Sequence, residues 1–247
     1  PDYFTVMGKR CVDHAVQIHE CDPARVLPFG LPRFDVYREL EHNCAESFRV
    51  DKPRVLYCGF SLAHAERQVV SSLANYFDSK YGVGSIEVHY RPHPGPLPRY
   101  DGSIITNSNI EITSYKDLKR TAMPDMDEEF LNAILQADVV VGAPTTLILE
   151  ALAIHKKCVL DLTNDGFHRT SAGNSASWHT HMLDLTQIEE LPQGKNTDEL
   201  HYQVDRMLQQ SDNCFHLNVE NLYNTREKPY RDQLLHFLQS SQHSKID

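Results

Sequence analysis

Residues 138–153 read DVVVGAPTTLILEALA: an apolar run, a Gly-Ala-Pro turn, two adjacent threonines, and an apolar helical pattern carrying one glutamate. Pro144 suits the first turn of a helix, so Thr145 and Thr146 fall where backbone N–H groups have no intrahelical partner. A helix N-terminus carries partial positive charge, and added hydroxyl donors turn it into a phosphate cradle. Capping the helix accounts for one hydroxyl but gives no reason for two. Glu150 follows Thr146 by one helical turn on the same face. Its carboxylate could accept hydrogen bonds from the two hydroxyls of a ribose, or pair with Lys156 or Lys157; both readings stay open. Upstream, the stretch RPHP places Arg91 and His93 among prolines, which stiffen the backbone on either side of the imidazole. A histidine ring N–H and a guanidinium are both good donors to a phosphate oxygen. Ser61, in GFS, and His168, in the polar loop DGFHRTSAGNS, are further donors that end or follow apolar runs.

These side chains act together only if the chain folds them to one edge. From Pro53 onward, short apolar runs alternate with amphipathic segments. RVLYCGF reads as a buried strand, residues 62–79 as a helix with Leu62, Val69, Val70, Leu73 and Phe77 on its apolar face, and SIEVHYRPHP as a strand stopped by prolines. GSIITNS reads as an edge strand or a loop. DEEFLNAILQA is a helix with acidic residues in its first turn, and DVVVGAP, TTLILEALAIH and KKCVLDL make a strand–helix–strand unit. This alternation predicts an α/β fold, a Rossmann-like doubly wound parallel sheet with helices on both faces. In such a sheet, ligands bind at the carboxyl ends of the strands. Four segments would meet there: 59–61, 91–94, 142–146 and 161–164. The regular pattern fades after Leu162 into a Gly/Ser/Asn-rich loop, and helices follow near 197–210 and 229–239. Before Pro53, YFTVMG and ARVLPFGLPRFD read as two short strands separated by a helix, and 36–50 as a helix running into a charged linker.

The 247 residues suffice for one large domain or one and a half smaller ones, and 40% hydrophobic with 23% charged residues is ordinary for a globular chain. A net charge of −10 argues against binding nucleic acid or anionic membrane across the whole surface. The longest apolar stretches are too short to span a bilayer. The six cysteines show no CxxC or zinc-type spacing, and Cys58 and Cys158 fall inside strand-like runs, so reduced thiols are expected. Of fourteen histidines, His179 and His181 come nearest to a ligand pair, and no metal or cofactor is expected.

Together these residues resemble the nucleotide-binding half of GT-B glycosyltransferases, in particular those using CMP-sugars or CDP-activated alcohols: bacterial sialyltransferases, capsular Kdo transferases and CDP-glycerol glycerophosphotransferases. The families share a His-Pro motif and a later Ser/Thr pair that hold the donor phosphate, matched here by His93-Pro94 and Thr145-Thr146 in that order. The resemblance covers about residues 53–185. It implies that 1–35 are a remnant of an N-terminal GT-B domain that is largely missing, 36–52 a linker, 53–240 the nucleotide-donor-binding domain with its C-terminal helices, and 241–247 a disordered tail. It further implies metal-independent transfer from a nucleotide-activated sugar or polyol to a glycan acceptor, with Ser61, Arg91, His93, Pro94, Thr145, Thr146, Glu150 and His168 around the donor. The enzyme would be cytoplasmic, peripheral to the inner membrane, and active in capsule or lipopolysaccharide assembly. The catalytic base would lie on the missing half and is unassigned. A UDP-sugar epimerase of GT-B-like fold and a non-catalytic nucleotide-binding module are the alternatives.

Overall fold

The structure, a computed structural model, describes residues 2–32, 34–35, 51–93, 105–113, 124–178, 183–211, 217 and 228–243. The chain divides into two compact units, Pro1–Ala45 with Leu217–Asp247, and Glu46–His216.

The second unit carries the sheet. Its strands are β3 (Arg54–Cys58), β4 (Glu87–Arg91), β5 (Ile110–Ile112), β6 (Val139–Gly142), β7 (Lys157–Asp161) and β8 (Gln193–Gly194). They lie in the order β5-β4-β3-β6-β7-β8, and every neighbouring pair is parallel. Counted from β3, this is the 3-2-1-4-5-6 order of the Rossmann fold, with the reversal between β3 and β6. The α/β expectation therefore holds. Helices α2 (Glu66–Tyr81) and α7 (Thr197–Gln209) cover one face. There Val70, Leu73 and Phe77 of α2 and Leu200, Val204 and Met207 of α7 pack on Val55, Tyr57, Val141 and Val159. Strand residues alternate in direction, so Leu56, Cys58 and Val140 serve the other face, against α3 (Pro124–Gln136) and α4 (Thr146–Ala153). Burial of each such Val, Leu or Phe contributes about 1.5–3 kcal/mol. At the amino ends of the strands, Asp138 accepts from the Arg54 amide at 2.7 Å, and the Arg54 guanidinium reaches Glu87 at 2.8 Å and Gln136 at 2.7 Å. That edge is tied by charge, and the opposite edge is left to the loops.

Several elements depart from the sequence reading. Of the stretch GSIITNS, read as an edge strand or a loop, the described residues 105–108 take the loop alternative, and the edge strand lies just beyond it at Ile110–Ile112. Asn107 and Asn109 spend their side chains on Asp78, at 2.8 and 3.1 Å, and so favour a turn over a strand. Helix α2 begins at Glu66 rather than Leu62, because residues 61–65 form a loop that turns His64 inward. The loop after β7 contains a short helix, α5 (Ala172–Ser175), and another, α6 (Leu183–Thr186), precedes β8; all three are too short to show a period. Helix α7 matches expectation and is capped by Asn196, which accepts from the Glu199 amide at 2.9 Å.

In the first unit, β1 (Phe4–Thr5) pairs in parallel with β2 (Val26–Leu27), connected through α1 (Lys9–His19) and one 3-10 turn. The last helix, α8 (Tyr230–His243), belongs with these residues, not with the sheet: Asp35 accepts from the Tyr230 amide at 2.8 Å, and the rings of Tyr3 and Phe29 each meet that of Phe237 edge to face. It runs to His243, beyond the expected start of the tail. The expected helix and linker of 36–50 lie outside the described residues. Among the described residues no helix is long and apolar enough to cross a membrane.

Candidate functional site

The reversal between β3 and β6 places four segments side by side at the carboxyl edge: 59–61 after β3, 92–93 after β4, 143–145 after β6, and the loop after β7. Their approach is close. The Gly59 amide donates to Arg91 O at 2.7 Å, and a side chain at Gly59 would collide with the backbone of Pro92 and His93. Phe60, Ala143 and Ala172 pack together, joining the loops of β3, β6 and β7. Ser61 and His93 are half-buried on this edge, and Pro94 lies outside the described residues.

Thr145 occupies the N-cap of α4 with extended backbone (φ −142°, ψ 168°), yet its side chain makes no capping hydrogen bond. Thr146 is the first residue of α4, and both threonines are half-buried. A helix start at a strand-order reversal therefore presents two hydroxyls, and the Thr145 hydroxyl is not consumed by the cap.

Arg91 and Glu150 behave differently. Arg91 is only 5% exposed, and its guanidinium stacks 4.5 Å from the centre of the Phe130 ring on α3. Glu150 is fully buried in α4. Both act on Cys58 at the end of β3: its thiol is pushed up to about 12, chiefly by burial, with Arg91 working against the rise and Glu150 adding to it. The two charges thus sit under the carboxyl edge on the α3/α4 face. Nearby, Lys156 donates to the carbonyls of Leu135 and Ala137 at 2.6 and 2.8 Å, and Lys157 to that of Gln210 at 2.6 Å.

On the α2/α7 face lies a buried polar network that sequence reasoning missed. The Asp161 carboxylate, at the end of β7, accepts from the Tyr57 hydroxyl at 2.6 Å, from the Thr163 amide at 2.8 Å, and from His64 Nε2 at 3.1 Å. His64 Nδ1 stands 3.5 Å from Asp165 and 3.4 Å from the Ala172 amide. Asp165 accepts from the amides of Ala65, Phe167 and His168 at 2.9, 2.9 and 2.8 Å, and contacts His168 Nδ1 at 2.8 Å. His168 is thereby anchored to the β3 loop through Asp165. Glu66 accepts from the Phe60 amide and from the Tyr90 hydroxyl, the latter at 2.6 Å. Burial works to neutralise His64, but the hydrogen bond and charge of Asp161, with Glu66 and Asp165, outweigh it and raise the imidazole pKa. Burial alone would raise Asp161 and Asp165; for Asp161 the His64, Tyr57 and Thr163 bonds, and for Asp165 the His168, Phe167 and Ala65 bonds, hold each below the usual carboxylate range. Glu66 is raised, chiefly by burial. The available signal was an acid closing an apolar strand in CVLDLTND, four residues before a second acid. Among the described residues no group of three or more His, Cys, Asp or Glu side chains could hold a metal; His179 and His181 lie outside them.

No family model matches the sequence, and no curated protein does. Solved structures do. A Methanocaldococcus jannaschii UDP-GlcNAc 2-epimerase, in complex with UDP-GlcNAc and UDP, superposes with a TM-score of 0.58 at 11% identity, over 97% of this chain and 61% of that one. The wall teichoic acid polymerase TagF, in a variant soaked with CDPG for 30 minutes, superposes with a TM-score of 0.53 at 12% identity, over 99% of this chain and 58% of that one. Another TagF variant gives 0.53 at 12% identity, over 99% and 59%. The chain thus spans about three-fifths of these proteins, and at such identities the likeness establishes the fold, the Rossmann-like arrangement expected of a GT-B half.

Proposed function

We propose that this chain is the donor-binding part of a GT-B-type glycosyltransferase that uses a cytidine-nucleotide-activated sugar or polyol, a CMP-sugar or CDP-polyol, in bacterial surface glycan assembly. One observation carries the reading: at the strand-order reversal, Thr145 heads a helix with a hydroxyl that the helix does not use. The helix N-terminus, Thr145, Thr146, Ser61 and His93-Pro94 would hold the donor phosphate, stabilising charge on the leaving group without a metal. Glu150, expected from the sequence at the ribose, is fully buried and would act with Arg91, held on Phe130, by setting the field beneath the cradle instead of by touching the ribose, and His168 would approach from the loop after β7. The acceptor glycan and the catalytic base would come from outside residues 53–216, on the cytoplasmic face of the membrane. TagF, solved with CDPG, supports the choice of cytidine.

A second reading, a UDP-sugar epimerase, is favoured by the fold of the Methanocaldococcus jannaschii enzyme. A thermal-shift panel of CMP, CDP, UMP, UDP, AMP and GMP separates the two. Cytidine nucleotides should raise Tm, by an amount equivalent to about 2.7 kcal/mol at a hundredfold excess over Kd. Equal shifts with every base would remove the cytidine assignment, a uridine preference would favour the epimerase, and no shift at all would sink the donor site.

A further inference from the structure

His64 has no part in the phosphate cradle, yet its fully buried side chain is the junction between two loops of that edge. It comes from the segment joining β3 to α2. Nε2 is committed to Asp161 on β7 at 3.1 Å. Nδ1 has two candidate partners, and they demand opposite protonation states. The Ala172 amide, at 3.4 Å, is a donor and requires a bare nitrogen; the Asp165 carboxylate, at 3.5 Å, is an acceptor and requires a proton. The surroundings are otherwise acidic: Asp161 and Asp165 from the β7 side and Glu66 at the start of α2, with the Tyr57 hydroxyl already given to Asp161 and His168 already on Asp165. A cationic ring clamped between two carboxylates binds the β7 loop to the β3 loop more tightly than a neutral ring accepting one long amide bond.

We infer that His64 is a positioning residue whose protonation holds residues 161–172 against the β3 loop and thereby makes nucleotide affinity at this edge depend on pH. This rests on the donor-site reading for its consequence, but not for the loop movement itself. The raised pKa of His64 fits it. The cationic clamp is complete below the ordinary histidine pKa of about 6.5 and is lost as pH rises through the higher native value.

The sole tryptophan reports on this loop: Trp178 closes the turn after α5, its amide on Ser175 O at 3.1 Å. Trp178 fluorescence is followed from pH 5.5 to 9 in the wild type and in His64→Gln, which keeps a donor for Asp161 but cannot be charged. CMP affinity is measured in both at pH 6.0 and 8.5. The wild type should show a transition centred above about pH 6.5, and CMP binding about 5-fold or more weaker at the higher pH, the lower end of ordinary coupling between sites. His64→Gln should lack the transition. Titration of the CMP phosphate is common to both proteins and cancels in the ratio of their affinities, which should change about 5-fold or more between the two pH values if His64 is the source and stay constant if it is not. The same transition in His64→Gln, or a flat wild-type profile, overturns the inference. If CMP fails to bind either protein, the donor-site reading fails, and the fluorescence titration still decides the clamp. If His64→Gln does not fold, wild-type histidine ring resonances decide. A buried imidazole titrating at the Trp178 midpoint supports the clamp, and none doing so overturns it.

Discussion

At the scale of single residues, Thr145 and Asp161 illustrate two ways in which a polar group can be placed. Thr145 takes the N-cap position without making the cap bond, so its removal should cost the helix little. Thr145→Ala with Thr146→Ala should lower Tm by the equivalent of less than about 1 kcal/mol, the ordinary value of a cap. CMP binding should weaken by about 1.5–3 kcal/mol for each hydroxyl bonded to a charged phosphate. Normal binding with a large fall in Tm would mean that the threonines are structural. Asp161 is the reverse case, buried and fully engaged. Asp161→Asn leaves His64 without its main counter-charge, and urea unfolding should show a loss of about 3–5 kcal/mol. Asp161 has a depressed pKa, so its contribution is present above about pH 3.9 and lost as pH falls through the lower native value. His64 has a raised pKa, so its contribution is present below about pH 6.5 and lost above the native value. The mutational loss should therefore be greatest between about pH 4 and 6.5 and shrink on either side. A loss independent of pH would show that packing, not charge, holds Asp161.

At the scale of elements, the site depends on how closely strand ends can approach. Gly59 lies against Pro92 and His93 so tightly that a methyl group has no room, with Pro92 Cα only 2.8 Å from where it would be. Gly59→Ala must push the β4 loop away and carry His93 with it. Overpacking of this kind costs about 1–3 kcal/mol. Affinity for CMP should fall while affinity for bare cytidine changes little, which calorimetry with both ligands would check. An equal fall for both would place His93 away from the phosphate. At Gly142, by contrast, an added Cβ would stand 2.9 Å from Cys58 O, so the glycine serves the packing of β3 on β6. The longer elements were legible because their apolar spacing is sustained, as in α2 and β6. Helix α2 nevertheless begins four residues late, because Glu66 reaches back to the Phe60 amide and fixes residues 61–65 as a loop.

At the scale of the molecule, all the described candidate residues, the full six-stranded sheet and both helical layers fall within Glu46–His216, whereas the other unit is assembled from the two ends of the chain. A fragment of 46–216 should unfold cooperatively and keep the CMP affinity of the whole chain within about twofold, since independent domains carry their own cores; a fragment that does not fold would show that the terminal unit is required. The sequence alone determined the α/β class and the place of Thr145-Thr146 at a strand-to-helix turn, because these follow from local periodicity and turn residues. Only the tertiary structure decided that the order is β5-β4-β3-β6-β7-β8, that Arg91 turns to Phe130, and that His64 meets Asp161. His64 and Asp161 are 97 residues apart, and the contact exists because β3, β6 and β7 lie side by side. Pairings at that separation leave no spacing in the chain to read: they are set by which strands become neighbours and by which face each side chain takes.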